Sequence, residues 1–274
     1  MSEPITVTGH YGTSSLLTRV EDALRRAGLE GKQLAWTDLI PLDQFHTRGH
    51  AATKELAAAL APKPGETILD IGAGLGGPAR FLAATYACDV TGIDLSQPFV
   101  DVATMLTARA NLSSQVRFQQ ADAVELPFPD ESFDHAWTQH VAMNIADRGR
   151  LYAAIARVLR PGGRLAIYDV VAGDAGPPHF PLPWARVPEI SFLLTPNAMR
   201  EALSVAGFAP LSWEDKTTSA IAWFAEQRAT RPAPSALGLP VVMGPEFPAM
   251  AANLGRNLAE GRVRIVQAVL QRNG

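Results

Sequence analysis

Apolar residues along the chain first follow a helical rhythm. Leu16, Leu17, Val20 and Leu24 recur at helical spacing, and a second helix is expected from Ala51 to Leu60. Between them, Leu39 to Gly49 (LIPLDQFHTRG) breaks that rhythm with proline, aromatic and polar residues and ends in glycine, which suits a lid. Pro62, Pro64 and Gly65 then punctuate a boundary, after which short apolar runs alternate with helical ones. Strands are predicted at Thr67–Ile71, Cys88–Ile93, Val116–Gln120, Phe133–Thr138, Arg164–Val171 and Phe208–Trp213. Helices are predicted at Pro78–Tyr86, Leu151–Leu159 and Asn197–Ala206, with Arg160-Pro-Gly-Gly163 as a breaker. Strand and helix in alternation require a parallel sheet with right-handed crossovers. The expected fold is therefore α/β: a Rossmann-like, doubly wound, mostly parallel seven-stranded sheet.

The pattern changes after the fifth strand. A segment rich in proline and aromatic residues, about 172–196, lacks periodicity and reads as a substrate loop. Residues 217–260 read as an inserted helical cap whose apolar residues, Met243 and Phe247 among them, could cover a pocket mouth or form a homodimer interface. Arg262 to Gln271 then alternates as a last strand, expected to pair antiparallel with the sixth at the sheet edge. The expected organisation is 1–60 for N-terminal helices and lid, 61–216 for the core, 217–260 for the cap and 261–274 for the last strand.

Composition narrows the classes. Mixed charges and a formal net charge of −3 give no basic footprint, so no nucleic-acid partner is expected. Cys88 is the only cysteine, which excludes an intramolecular disulfide and a thiolate metal cluster, and it reads as a small core residue. No histidine and carboxylate cluster has metal-ligand spacing, so no metal is expected either. Met1 to Gly12 lacks the basic and apolar regions of a leader and no run is long enough to span a bilayer, so a soluble, cytoplasmic protein without a membrane partner is expected.

Candidate chemistry centres on Glu66 to Arg80, ETILDIGAGLGGPAR, a strand running through a glycine turn into a helix. Gly72, Gly74 and Gly76 let the backbone turn sharply and a ligand approach, and Gly77 lets the helix pack close to the strand. The same glycines satisfy the dinucleotide fingerprint, so their spacing admits NAD as well as other adenosine-bearing cofactors. Asp94, about twenty residues beyond the turn, is placed to accept both ribose hydroxyls or, alternatively, to cap the next helix with Ser96. Asp122 could take an adenine amino group, with Ala123 supplying a backbone contact, or be an ordinary loop aspartate. Ligands bind beyond the carboxyl ends of parallel strands, which brings Asp70, Asp94, Asp122 and His140 to one crevice.

Four stretches in order, LDIGAGLGG, GIDLS, QADAVELPFPDESFD and RVLRPGGRLAIYD, resemble the class I S-adenosylmethionine-dependent methyltransferases over about Ala51 to Gly207. PFPDESFD and LRPGG are similar to the small-molecule enzymes of the ubiquinone-biosynthesis and sarcosine/dimethylglycine groups, and DQFHTRG looks like the second group. The resemblance implies S-adenosylmethionine as cofactor, S-adenosylhomocysteine as product, and in-line methyl transfer to an amine, hydroxyl or carbon of a small-molecule acceptor. It implies that Asp70 and the backbone of Gly72, Ala73, Gly74 and Gly76 face the methionine portion, Asp94 with Leu95 the ribose, and Asp122 with Ala123 the adenine; Gln139 joins this cofactor wall.

Acceptor residues follow from position. His140, delivered by the fourth strand, is the best candidate for a base, with orientation of a ligand as the other reading. Met143 and Asn144 line the same wall. His46 and Phe45 in the lid are candidates for acceptor contact, His46 as a second catalytic candidate, or for an aromatic pair that closes the pocket. Tyr11 could fold over the site or belong to a disordered tail, Trp184 gives the substrate loop an apolar face, and Arg186 could pair with an acceptor carboxylate or be a surface arginine with no partner in the pocket. A cofactor-binding regulator and an NAD-dependent dehydrogenase are the competing functions.

Overall fold

A strand buried on both faces needs a nearly continuous apolar run, and the run Ile68 to Ile71 is buried at every position because strands flank it on both sides. The structure, a computed structural model, describes residues 16–230 and 235–274. Its strands are β1 (Thr67–Ile71), β2 (Asp89–Asp94), β3 (Val116–Gln120), β4 (Phe133–Gln139), β5 (Leu159–Ala172), β6 (Phe208–Asp215) and β7 (Val263–Arg272). They form one seven-stranded sheet in the order β3-β2-β1-β4-β5-β7-β6. Strands β1 to β5 pair in parallel, while β7 runs antiparallel to both neighbours. The strand order reverses between β1 and β4, which opens a crevice at their carboxyl ends.

The helices are α1 (Leu16–Arg26), α2 (Ile40–Asp43), α3 (His50–Leu60), α4 (Gly77–Tyr86), α5 (Gln97–Arg109), α6 (Arg148–Val158), α7 (Pro196–Val205), α8 (Thr217–Thr230), α9 (Leu239–Met243) and α10 (Phe247–Ala259). Leu56 and Leu60 of α3, Phe81 and Leu82 of α4 and Leu254 and Leu258 of α10 share one core with Tyr168 and Ile265 of the sheet. Leu151 and Ile155 of α6 and Met199 and Leu203 of α7 form another with Leu165 and Val266. A third unites Leu16, Val20 and Leu24 of α1 with Val102 and Leu106 of α5 and with Leu237 and Val242 of the cap region. Asp147 and Thr195 cap α6 and α7 by accepting the N–H groups of Arg150 and Ala198.

The fold class matches the expectation, with two local corrections. Strand β7 is not at the edge: it is inserted between β5 and β6, which leaves β6 as the edge strand. Its apparent alternation misleads because Val263 and residues 265–270 are all buried, as a central position demands. The segment 39–49 is not a loose cover either. Pro41 opens the short α2, and Asp43, Gln44, His46 and Thr47 are all buried, so the segment is a strap wedged against the sheet and α4. Among the described residues no helix is long and apolar enough to cross a membrane.

Candidate functional site

The crevice beyond β1, β2 and β4 is a cavity of about 390 Å³. Gly72, Gly74, Asp94, Leu95, Asp122, Ala123 and Gln139 bring the strand ends to it; Phe45 comes from the strap, Trp184 from the 172–196 loop, and Met243 and Phe247 from the cap.

The glycine turn is shaped by the protein's own side chains. Gly72 has φ 68°, and a Cβ there would lie 2.5 Å from Val141; at Gly76, φ 80°, it would lie 2.4 Å from the Phe118 ring. At Gly77 it would meet the Asp43 carboxyl and the Gln44 amide at 2.5 Å, so that glycine admits the strap rather than strand packing alone. Gly74 N–H donates to Asp94 Oδ2 at 3.0 Å and Ser96 N–H to Asp94 Oδ1 at 2.9 Å. Asp94 is thus fixed from both sides, and each oxygen keeps lone-pair capacity for a ligand. Asp94 ties the turn to Ser96, the residue before α5, and lines the cavity. Asp122 accepts Val124 N–H at 3.0 Å in the same manner.

Two acids with no cation between them give the cofactor end its electrostatics. Burial pushes the Asp70 carboxyl up to about 8, and the charge of Asp94 adds to that shift. Burial raises Asp94 too, against the N–H groups it accepts. Buried polar atoms normally have partners. Here Asp70 Oδ2, Ser96 Oγ, Gln139 Nε2 and Asn144 Oδ1 have none among the described residues. Ser96, Gln139 and Asn144 line the cavity, while Asp70 lies just behind the turn. Trp137 explains Gln139: its indole N–H, which can only donate, holds Gln139 Oε1 at 3.0 Å and commits the amide nitrogen to the other side. Orphaned acceptors beside paired acids, and an orphaned donor opposite, suit a cation with hydroxyls and a carboxylate, as S-adenosylmethionine carries.

His140 lines the same cavity. Its backbone lies in the left-handed region, φ 54°, with its N–H donating to the Tyr168 carbonyl at 2.8 Å. Its ring stacks on Tyr168, centroids 5.7 Å apart and planes at 7°. Burial and the nearby His46 push its pKa well below the ordinary histidine value, so the ring is neutral at pH 7.

Several expected site residues stand elsewhere. His46 is not on the cavity wall: its Nε2 lies 3.0 Å from the Gly49 carbonyl and 3.0 Å from Thr53 Oγ1, and its ring packs against His140 and Tyr168. Burial lowers its pKa to about 4, although the Gly49 contact opposes the shift, and it supports His140 from behind. Arg186 is at the surface in an ion pair with Glu246, because the loop turns its apolar face, not its cation, inward. Ala73 and Gly76 turn away from the cavity. Tyr11 lies outside the described residues. Phe99 and Asp147 line the cavity without having been expected there. Phe99 reads as an ordinary core residue of α5, which follows β2, and Asp147, after β4, as a cap; only the fold, which brings the ends of these two strands to one crevice, reveals either.

A family model described as a methyltransferase domain matches residues 69–167. The O-methyltransferase resE of Aspergillus sclerotiorum is 35% identical over 74% of this chain and 75% of its own length. The O-methyltransferase cnsE of Penicillium expansum is 38% identical over 66% of this chain; the match covers 65% of that relative, just short of two thirds. Among solved structures, that of the [4+2]-cyclase SpnF superposes with a TM-score of 0.69 at 26% identity, covering 98% of this chain and 97% of that one.

Proposed function

We propose that this chain, which belongs to the class I S-adenosylmethionine-dependent methyltransferases, transfers a methyl group to an oxygen of a small, largely apolar acceptor. The observation that carries this reading is that one cavity is lined both by polar groups, Asp94, Ser96 and Asp122 among them, and by large apolar ones, Trp184, Met243 and Phe247. S-adenosylmethionine supplies a methyl group on positively charged sulfur, already activated for transfer.

The chain's own work is binding and positioning. Asp70 and the turn backbone would hold the amino-acid portion, Asp94 the ribose, and Asp122 with Ala123 the adenine. Gln139 Nε2, fixed by Trp137, is a donor for a carboxylate oxygen. The apolar residues exclude water and hold an acceptor in line, a source of roughly 7–11 kcal/mol of barrier lowering when alignment is good. Oxygen as the methylated atom is supported by the relatives named O-methyltransferase. Likeness to a cyclase along nearly the whole chain favours a second reading, ring formation in a bound apolar substrate with no methyl consumed.

Calorimetry with S-adenosylhomocysteine tests the cofactor assignment without an acceptor: saturable binding is expected, and no binding overturns it. Transfer of labelled methyl from S-adenosylmethionine to a panel of phenols, enols and amines then tests the chemistry. One S-adenosylhomocysteine released per product is expected, while product formed without it selects ring formation.

A further inference from the structure

We propose that His140 presents Nδ1–H to the cavity as a hydrogen-bond donor, because a one-way chain from Arg48 through Tyr168 and Thr47 donates a hydrogen bond to its Nε2. The inference rests on the methyl-transfer reading for its consequence but not for its test.

The direction follows from counting protons. Arg48 has donors only. Its two terminal nitrogens hold Glu55, at 2.8 and 2.5 Å, and its positive charge acts on the Tyr168 hydroxyl. The Tyr168 oxygen therefore turns its lone pairs toward Arg48, and its single proton goes to its other neighbour, Thr47 Oγ1, 3.1 Å away. Thr47, accepting from Tyr168, spends its own proton on its remaining neighbour, His140 Nε2, at 3.4 Å. A neutral imidazole carries one N–H. With Nε2 receiving, that N–H is at Nδ1, which has no hydrogen-bond partner among the described residues, in a ring that lines the cavity.

The surroundings keep every member in this state. Tyr168 retains its proton because burial raises its pKa, and His140 stays uncharged between the buried His46 and the Tyr168 ring. The left-handed backbone of His140 is pinned by the Tyr168 carbonyl, so one tyrosine fixes the ring's position, its stacking and, through Thr47, its tautomer. Thr47 and Tyr168 are thus positioning residues that act through His140.

A ring that offers N–H does not take a proton from an acceptor; it stabilises an oxygen that already bears negative charge. The substrate class follows. The acceptor is an acidic hydroxyl, phenolic or enolic, which gives its proton to solvent before binding, and an aliphatic alcohol finds no base in His140.

The test is a two-bond ¹H–¹⁵N correlation spectrum of the full-length protein labelled with ¹⁵N-histidine at pH about 7, with His140 identified by its loss in His140→Asn. The expected result is the Nδ1–H pattern, reverting to the Nε2–H form in Thr47→Val and retained in Thr47→Ser. An Nε2–H pattern in the wild-type protein overturns the inference, and needs no variant to fold. Activity provides an independent reading once a probe phenol is methylated. His140→Asn, which keeps a donor but cannot accept a proton, should retain far more kcat than His140→Ala, for which a loss of roughly 100-fold is expected from removing one such donor. Equal loss in both overturns the donor role. A correct tautomer without methylation of any phenol, enol or amine leaves the donor assignment standing and counts against methyl transfer alone.

Discussion

Asp43 and Arg80 meet at 2.8 Å with side chains 2% and 0% exposed, which joins the strap to the helix that follows the glycine turn. Arg80 also donates to Thr107 Oγ1 at 3.0 Å, and Gln44 donates to Asp43 at 3.0 Å. Asp43→Ala would leave the guanidinium buried and unpaired, at a cost of about 3–5 kcal/mol. Chemical denaturation should show that loss, together with weaker S-adenosylhomocysteine binding as the turn loses its brace. A variant as stable as the wild type would mean that the strap is not a structural part of the site.

Asp70 is expected to make cofactor binding proton-linked if it faces the ligand's ammonium. Its carboxyl is held up to about 8 in the free protein, so it is mostly protonated at pH 7, whereas a bound ammonium favours the carboxylate. Binding must then release a proton below that pH, and affinity should rise with pH until about 8 and level off above it. Calorimetry of S-adenosylhomocysteine in buffers of different ionisation enthalpy measures the release. Asp70→Asn should abolish it, and proton-neutral binding by the wild type would remove Asp70 from the ligand's surroundings.

Ser96 separates a ligand contact from a structural one. Its hydroxyl is buried and partnerless in the free protein, so Ser96→Ala should leave the melting temperature unchanged or slightly raised. If the hydroxyl bonds the cofactor, affinity should fall by up to about tenfold, the equivalent of ~1.4 kcal/mol. Unchanged affinity would assign the orphaned atom to nothing the cofactor uses.

Asp169 shapes the turn that carries His140. Its carboxylate, raised to about 6 by burial, accepts the Ala142 N–H at 3.1 Å and the Val170 N–H at 2.9 Å. Asp169→Ala strands both N–H groups and should cost about 1–3 kcal/mol for each one left unsatisfied. Denaturant titration checks the loss, which Asp169→Asn should halve because its amide keeps one acceptor oxygen.

What the sequence disclosed was whatever depends on local pattern. The glycine turn, the acids that end β1 and β2, and the alternation that makes a parallel sheet are all periodic or contiguous. Thus the turn with Asp94, Asp122 and His140 could be placed at one crevice before any coordinates. What it concealed depends on contacts between distant segments. Arg186 reads as a carboxylate clamp until Glu246, sixty residues later, is found beside it. His46 reads as a pocket residue until Thr53 and Gly49 claim its ring. The link from Arg48 to His140 is invisible for the same reason: Thr47 and Tyr168 are 121 residues apart in the chain.

The placement of β7 between β5 and β6 has a kinetic consequence. Strand β5 pairs with β7 from Arg164 with Gln271 to Ala172 with Val263, so about a hundred residues separate partners at the middle of the sheet. Until residues 263–272 enter, β5 and β6 each present an open row of unpaired backbone groups, the condition under which strands capture the wrong neighbour. Slow, concentration-sensitive refolding is the expected outcome of that ordering, and a refolding rate that does not depend on protein concentration would count against it.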